Sequence, residues 1–126
     1  MKFLTELANK YGTDKGTLIA PAHGFTEIYH EYFESIREKV VKVLEIGVER
    51  GYSLQMWSEF FPNALIVGMD VHINVISQNP NIAIEYGNQA VEQDLLNVVS
   101  KYGDNFDIII DDGGHDICLL YTSDAA

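Results

Sequence analysis

The feature that most constrains this chain is the passage from Val40 to Gly47, followed by Gly51 and a helix-like stretch. Val40-Val41-Lys42-Val43-Leu44-Glu45-Ile46-Gly47 is rich in β-branched residues and ends on glycine, the pattern of a mostly buried strand. Val48 to Tyr52 then read as a turn, and Ser53 is placed to cap a helix whose apolar face is Leu54, Met56, Trp57, Phe60 and Phe61. Pro62-Asn63 ends that helix. A buried strand followed closely by a helix is the opening of a βαβ unit.

The alternation continues. Leu65–Asp70 is expected as a second strand, Ile82–Tyr86 as a third, and Phe106–Asp111 as a fourth. A short helix is expected over Ile73–Gln78, and Val91, Leu95, Val98, Val99 and Tyr102 mark another. Two helices come before the first strand. Phe3, Leu4, Leu7, Ala8 and Tyr11 share one face and Gly12 ends the first; Phe25, Ile28, Tyr29, Tyr32, Phe33, Ile36 and Val40 step by three and four in the second, with Thr26 as its cap. Tyr29, Tyr32 and Phe33 read as helix core, His23 and His30 as structural or surface residues. The fold class is therefore α/β, a Rossmann-like doubly wound parallel sheet with strand order 3-2-1-4, preceded by two helices. Residues 1–40 form the helical segment and 41–117 a partial nucleotide-binding domain.

Composition narrows the function classes. The chain of 126 residues has 8 Lys+Arg against 19 Asp+Glu, a formal net charge of −11. Such a chain repels phosphate backbones and anionic lipid, so neither nucleic acid nor a membrane is an expected partner. The first ten residues lack the apolar core of a secretory signal, and a cytoplasmic location follows as the default. The single cysteine, Cys118, excludes an internal disulfide framework. It opens the string CLLYTSDAA, residues Cys118 to Ala126, which resembles the translation of a transposase-type sequencing adapter. The expectation is that 118–126 is a non-native tail, and that the natural sequence breaks off near Asp116 or Ile117.

In open α/β sheets, ligands bind at the carboxyl ends of strands where the strand order reverses. The residues there are Glu45, Gly47 and Gly51 after the first strand, Asp70 after the second, Gly87, Asn88 and Gln89 after the third, and Asp111, Asp112 and His115 after the fourth. Glycine lets backbone approach a ligand closely. Asp70 follows Gly47 at the spacing of an acidic residue that binds ribose hydroxyls. That geometry suits a dinucleotide or a nucleoside. The G-x-G-x-x-G fingerprint is absent, with Glu49 where its second glycine would stand, and so is the phosphate-binding P-loop pattern. Glu45 opposes a pyrophosphate and suits a cation, such as the sulfonium or ammonium of S-adenosylmethionine. Asp14 and Lys15 lie in a polar loop that either closes over a ligand or stays exposed.

Four strings, YGTDKG, HGFTEIYHEYF, LEIGVERGYSLQMW with IVGMD after it, and FDIIIDDGGH, resemble class I S-adenosylmethionine-dependent methyltransferases. They are most similar to the metal-dependent macrolide-sugar O-methyltransferases and to the cephalosporin-hydroxylase and rhamnosyl O-methyltransferase types. The resemblance implies that Glu45, Gly47 and Gly51 line the methionine part of the cofactor, that Asp70 holds the ribose, and that Asn88 and Gln89 sit by the adenine. It implies Mg²⁺ on Asp111 or Asp112, with His115 and Asp112 in the catalytic roles and a small hydroxylated molecule as acceptor. The family usually has serine where Gly114 stands, and its further metal-binding Glu-Asp pair follows a fifth strand. The chain is thus expected to be the front part of such an enzyme and inactive by itself. The alternatives are an NAD-dependent Rossmann oxidoreductase or epimerase, and a non-catalytic nucleotide-binding domain.

Overall fold

A computed structural model of the chain describes residues 2–13, 15–16, 24–48, 51–72, 78–111 and 118–121. The strands expected from sequence form at Lys42–Ile46 (β1), Leu65–Asp70 (β2), Ile82–Tyr86 (β3) and Ile108–Asp111 (β4). They pair in parallel in the order β3-β2-β1-β4, so the four-strand order matches the sequence reading. Cys118–Tyr121 adds β5, antiparallel to β4, with Ile108 opposite Tyr121 and Asp111 opposite Cys118. The segment that the sequence set apart as a tail therefore supplies the neighbour of β4 in the sheet.

Side chains alternate between the two faces, as a pleated strand requires. Val43, Ile66, Ile82, Ile108 and Ile110 join one apolar cluster, while Leu44, Val67 and Met69 join another. Helices at Phe3–Tyr11 (α1), Phe25–Phe33 (α2) and Tyr52–Phe60 (α3) supply most of the rest of the first cluster, with Val40, Val48, Phe61 and Ala64 from the connections. Its centre is aromatic: Trp57, Phe33, Phe60 and Phe61 are fully buried, and Phe60 and Phe61 meet edge to face at 5.0 Å. Glu92–Tyr102 (α4) covers the second cluster through Val98, Leu95 and Tyr102. Lys10 Nζ and Tyr11 OH donate to Glu59 at 2.8 and 2.6 Å, tying α1 to α3.

Local details differ from the sequence expectation where side chains find tertiary partners. Thr26 and Ser53 do not cap their helices; Gly24 and Gly51, both left-handed, stand at those positions. Thr26 is buried and shares a 2.8 Å hydrogen bond with Thr5. The second helix also ends early: α2 stops at Phe33, a 3₁₀ turn covers Glu34–Ile36, and Val40 N–H bonds back to the Ile36 carbonyl. The chain must turn there to enter β1. Tyr29 and Phe33 face the core, but Tyr32 and Ile28 share the opposite, exposed stripe of α2. His30 is buried, with Nδ1 accepting from Leu4 N–H at 3.4 Å and Nε2 3.2 Å from Glu34, a structural role. The helix expected at Ile73–Gln78 falls almost wholly outside the described residues.

Candidate cofactor site at the carboxyl edge

Gly47 continues β1 at φ 94°, and Gly51 opens α3 at φ 81°. Both lie in the left-handed region that disfavours a side chain, as expected from their place in the strand-to-helix turn. The Gly47 N–H donates to the Met69 carbonyl at 2.8 Å, carrying the β1–β2 ladder into the turn. Asp70, the last residue of β2, is half-buried and stands beside it. Its Oδ2 accepts the Val48 N–H at 2.7 Å and its Oδ1 the His72 N–H at 3.2 Å. These bonds hold the carboxylate at the mouth of the turn.

The turn after β3 brings the next two residues to the same edge. Asn88 is engaged in building the entry to α4: its N–H donates to Asp94 at 2.9 Å and its side-chain oxygen accepts Ala90 N–H at 2.9 Å. Gln89 reaches across the sheet end. In the orientation that satisfies its neighbours, its amide NH₂ donates to both carboxylate oxygens of Asp111 at 3.0 Å. Asp111 itself pairs in register with Ile46 of β1. Gly47, Gly51, Asp70, Asn88, Gln89 and Asp111 thus gather at one edge. Asp112 and His115 lie outside the described residues. Among the described residues, no three His, Cys, Asp or Glu side chains cluster as a metal-binding group.

Glu45 sits differently from the others. Its side chain is 0% exposed, beneath the edge, on the α3 side of the sheet. Ser53 Oγ donates to Oε1, and the Trp57 indole N–H donates to Oε2 at 2.7 Å. Lys15, also buried, brings Nζ to 3.9 Å from Oε2. Sequence reasoning placed Ser53 as a cap and Trp57 as plain core, and left Lys15 undecided. A usable signal was present. Val43 and Glu45 share a strand face by period two, and Ser53 and Trp57 share a helix face at i, i+4.

A doubly wound sheet with this reversal of strand order, glycines in its first βα turn and a carboxylate closing the second strand defines a nucleoside-binding α/β fold. No family model matches the chain. Among curated proteins it is 37% identical to the mycinamicin VI 2''-O-methyltransferase of Micromonospora griseorubida, over 98% of this chain and 32% of that protein. It is 38% identical to the demethylmacrocin O-methyltransferase of Streptomyces fradiae, over 89% of this chain and 29% of the relative. Among solved structures, MycE methyltransferase from the mycinamycin biosynthetic pathway, in complex with Mg and SAH, superposes with a TM-score of 0.77 at 37% identity. That match covers 89% of this chain and 32% of MycE. The chain belongs with the class I S-adenosylmethionine methyltransferases of the macrolide- and sugar-O-methyltransferase kind. It spans about a third of the length of these relatives.

Proposed function

We propose that the chain carries the S-adenosylmethionine-binding part of an O-methyltransferase acting on a hydroxyl of a sugar or another small natural product. The observation that supports this best is Asp70, held by the Val48 and His72 N–H groups beside the positive-φ turn of Gly47 and Gly51. With its orientation fixed by backbone, the carboxylate is an acceptor for a pair of ribose hydroxyls. Gly47 and Gly51 let backbone lie close against the methionine part of the ligand. Asn88 shapes the turn that faces the adenine, and Gln89 closes over it.

The curated relatives are named as O-methyltransferases of mycinamicin VI and of demethylmacrocin, and the MycE structure carries Mg and SAH. A divalent ion, when bound, would lower the pKa of the acceptor hydroxyl and fix its oxygen for in-line attack on the methyl group. Asp111 and Asp112 provide the hard oxygen donors that suit Mg²⁺. Of the two, Asp111 also accepts hydrogen bonds from the Gln89 amide, which would hold its carboxylate in place at the sheet edge. His115, three residues on, is the candidate base that takes the hydroxyl proton.

The experiment is equilibrium binding of S-adenosylhomocysteine and of NAD to the chain, with turnover measured in a polypeptide of the relatives' full length. Binding of the former alone is expected, with turnover abolished by chelator and by Asp112→Ala. Affinity for NAD without affinity for S-adenosylhomocysteine would overturn the reading, and full activity in excess chelator would remove the metal from it.

A further inference from the structure

Glu45 is the one acidic residue of the β1 end that the proposed binding mode does not readily use. A carboxylate with no exposed surface reaches a ligand only by displacing its neighbours. Burying it without compensation is costly, and here each oxygen takes a hydrogen bond while a buried ammonium stands nearby. Its neighbours come from different parts of the chain. Glu45 is the penultimate residue of β1, Ser53 and Trp57 belong to α3, and Lys15 lies in the segment between α1 and α2. The Glu45–Ser53 bond also brackets the glycine turn, since Gly47 follows Glu45 by two residues and Gly51 precedes Ser53 by two.

We propose that Glu45 positions the cofactor site without touching the cofactor, by tying Lys15 and α3 to the end of β1 and so fixing both ends of the Gly47–Gly51 turn. This rests on the S-adenosylmethionine reading above. It makes Glu45 a positioning residue rather than the counter-ion of the ligand's ammonium. It also gives Lys15 a task in the interior, as the buried cation beside that carboxylate.

The test compares the chain with Glu45→Gln, Lys15→Met and the double variant. Calorimetry reads the affinity of each for S-adenosylhomocysteine and for 5'-methylthioadenosine, which lacks the amino-acid part. Thermal melting and the emission of Trp57, the single tryptophan, are followed in parallel. Glu45→Gln is expected to weaken both ligands by the same factor, about tenfold, the scale of one hydrogen bond to a charged group. The ligand-induced change in Trp57 emission should be lost with it. The double variant removes the buried ammonium together with the carboxylate it faces, so its melting midpoint should recover towards wild type while both affinities stay low. If Glu45→Gln does not fold, Lys15→Met should show the same parallel loss. Weakening of S-adenosylhomocysteine alone would mean that Glu45 contacts the amino-acid part, and would overturn the proposal. Affinities that are unchanged, or that recover together with the melting midpoint, would make the cluster purely structural and overturn it as well. A wild-type chain that binds neither ligand would overturn the cofactor reading itself, and this inference with it.

Discussion

Asp70 Oδ2 accepts the backbone N–H of Val48 at 2.7 Å, joining the end of one strand to the turn that follows its neighbour. Strand pairing makes the contact possible: Ile46 lies beside Met69, so the next residues on each strand, Gly47 and Asp70, leave the sheet side by side. The carboxylate is thereby oriented before any ligand arrives, which spares part of the entropic cost of binding.

Asp70→Ala should weaken S-adenosylhomocysteine binding by about 1.5–3 kcal/mol, the scale of hydrogen bonds to a charged group. Asp70→Asn keeps an acceptor for Val48 and should fall between wild type and alanine. Unchanged affinity of the alanine variant in a calorimetric titration would remove Asp70 from the site.

Gly68→Ala should destabilise the fold. A Cβ there would come within 2.8 Å of both Val48 and Leu54, two buried side chains under the cofactor turn. Overpacking of this kind costs about 1–3 kcal/mol. At Gly87 a Cβ would meet Met69 Sδ at 2.7 Å, but a thioether repacks more readily. Denaturant unfolding should rank Gly68→Ala as the more damaging change.

Glu85 carries an acid-sensitive contribution to stability. A hydrogen bond from Lys101, then one from Tyr102, holds its carboxyl below the ordinary 4.5. A depressed folded-state pKa gives stabilisation that is present above 4.5 and lost as pH falls through the folded value. Lys101 and Tyr102 are raised above 10.5 and 10.0, chiefly by the bond to Glu85 and by burial respectively, so their contributions vanish only in strong alkali. The stability gap between wild type and Glu85→Gln should therefore be constant near neutrality and close as the pH falls below 4.5 through the folded value. A gap independent of pH in denaturant titrations would show that the cluster does not couple to folding.

Removal of 118–126 tests the strand that the sequence did not anticipate. With β5 gone, β4 would expose a row of unpaired N–H and C=O groups beside Ile108, Ile109 and Ile110. Such an edge is a template for association. The shortened chain should lose more than about 1 kcal/mol and sediment as concentration-dependent oligomers. A stable monomer of undiminished stability would mean that the segment is dispensable, as its sequence alone suggests.

The sequence by itself determined the four parallel strands of the sheet and their order. Hydrophobic periods of two and near 3.6 give β2, β3 and α1 their residues, and right-handed crossovers leave little freedom in the strand order. It also determined which backbone turns hold the site, because Gly47 and Gly51 occupy φ values that other residues resist. The tertiary structure decided what each polar side chain does there. Thr26 and Ser53 have the local chemistry of caps, yet buried partners 21 and 8 residues away take their hydroxyls. Glu45 and Asp70 both lie at the carboxyl ends of parallel strands, but Glu45 points into the α3 layer and Asp70 stands at the open edge. Lys15 reads as a loop cation and lies buried beside Glu45, and Gln89 crosses the sheet end to Asp111. The physical reason is common to these cases. Periodicity reports which face of an element is apolar, a local property of consecutive residues. A buried hydrogen bond or ion pair depends on which distant element arrives opposite, and that is fixed only when the layers pack.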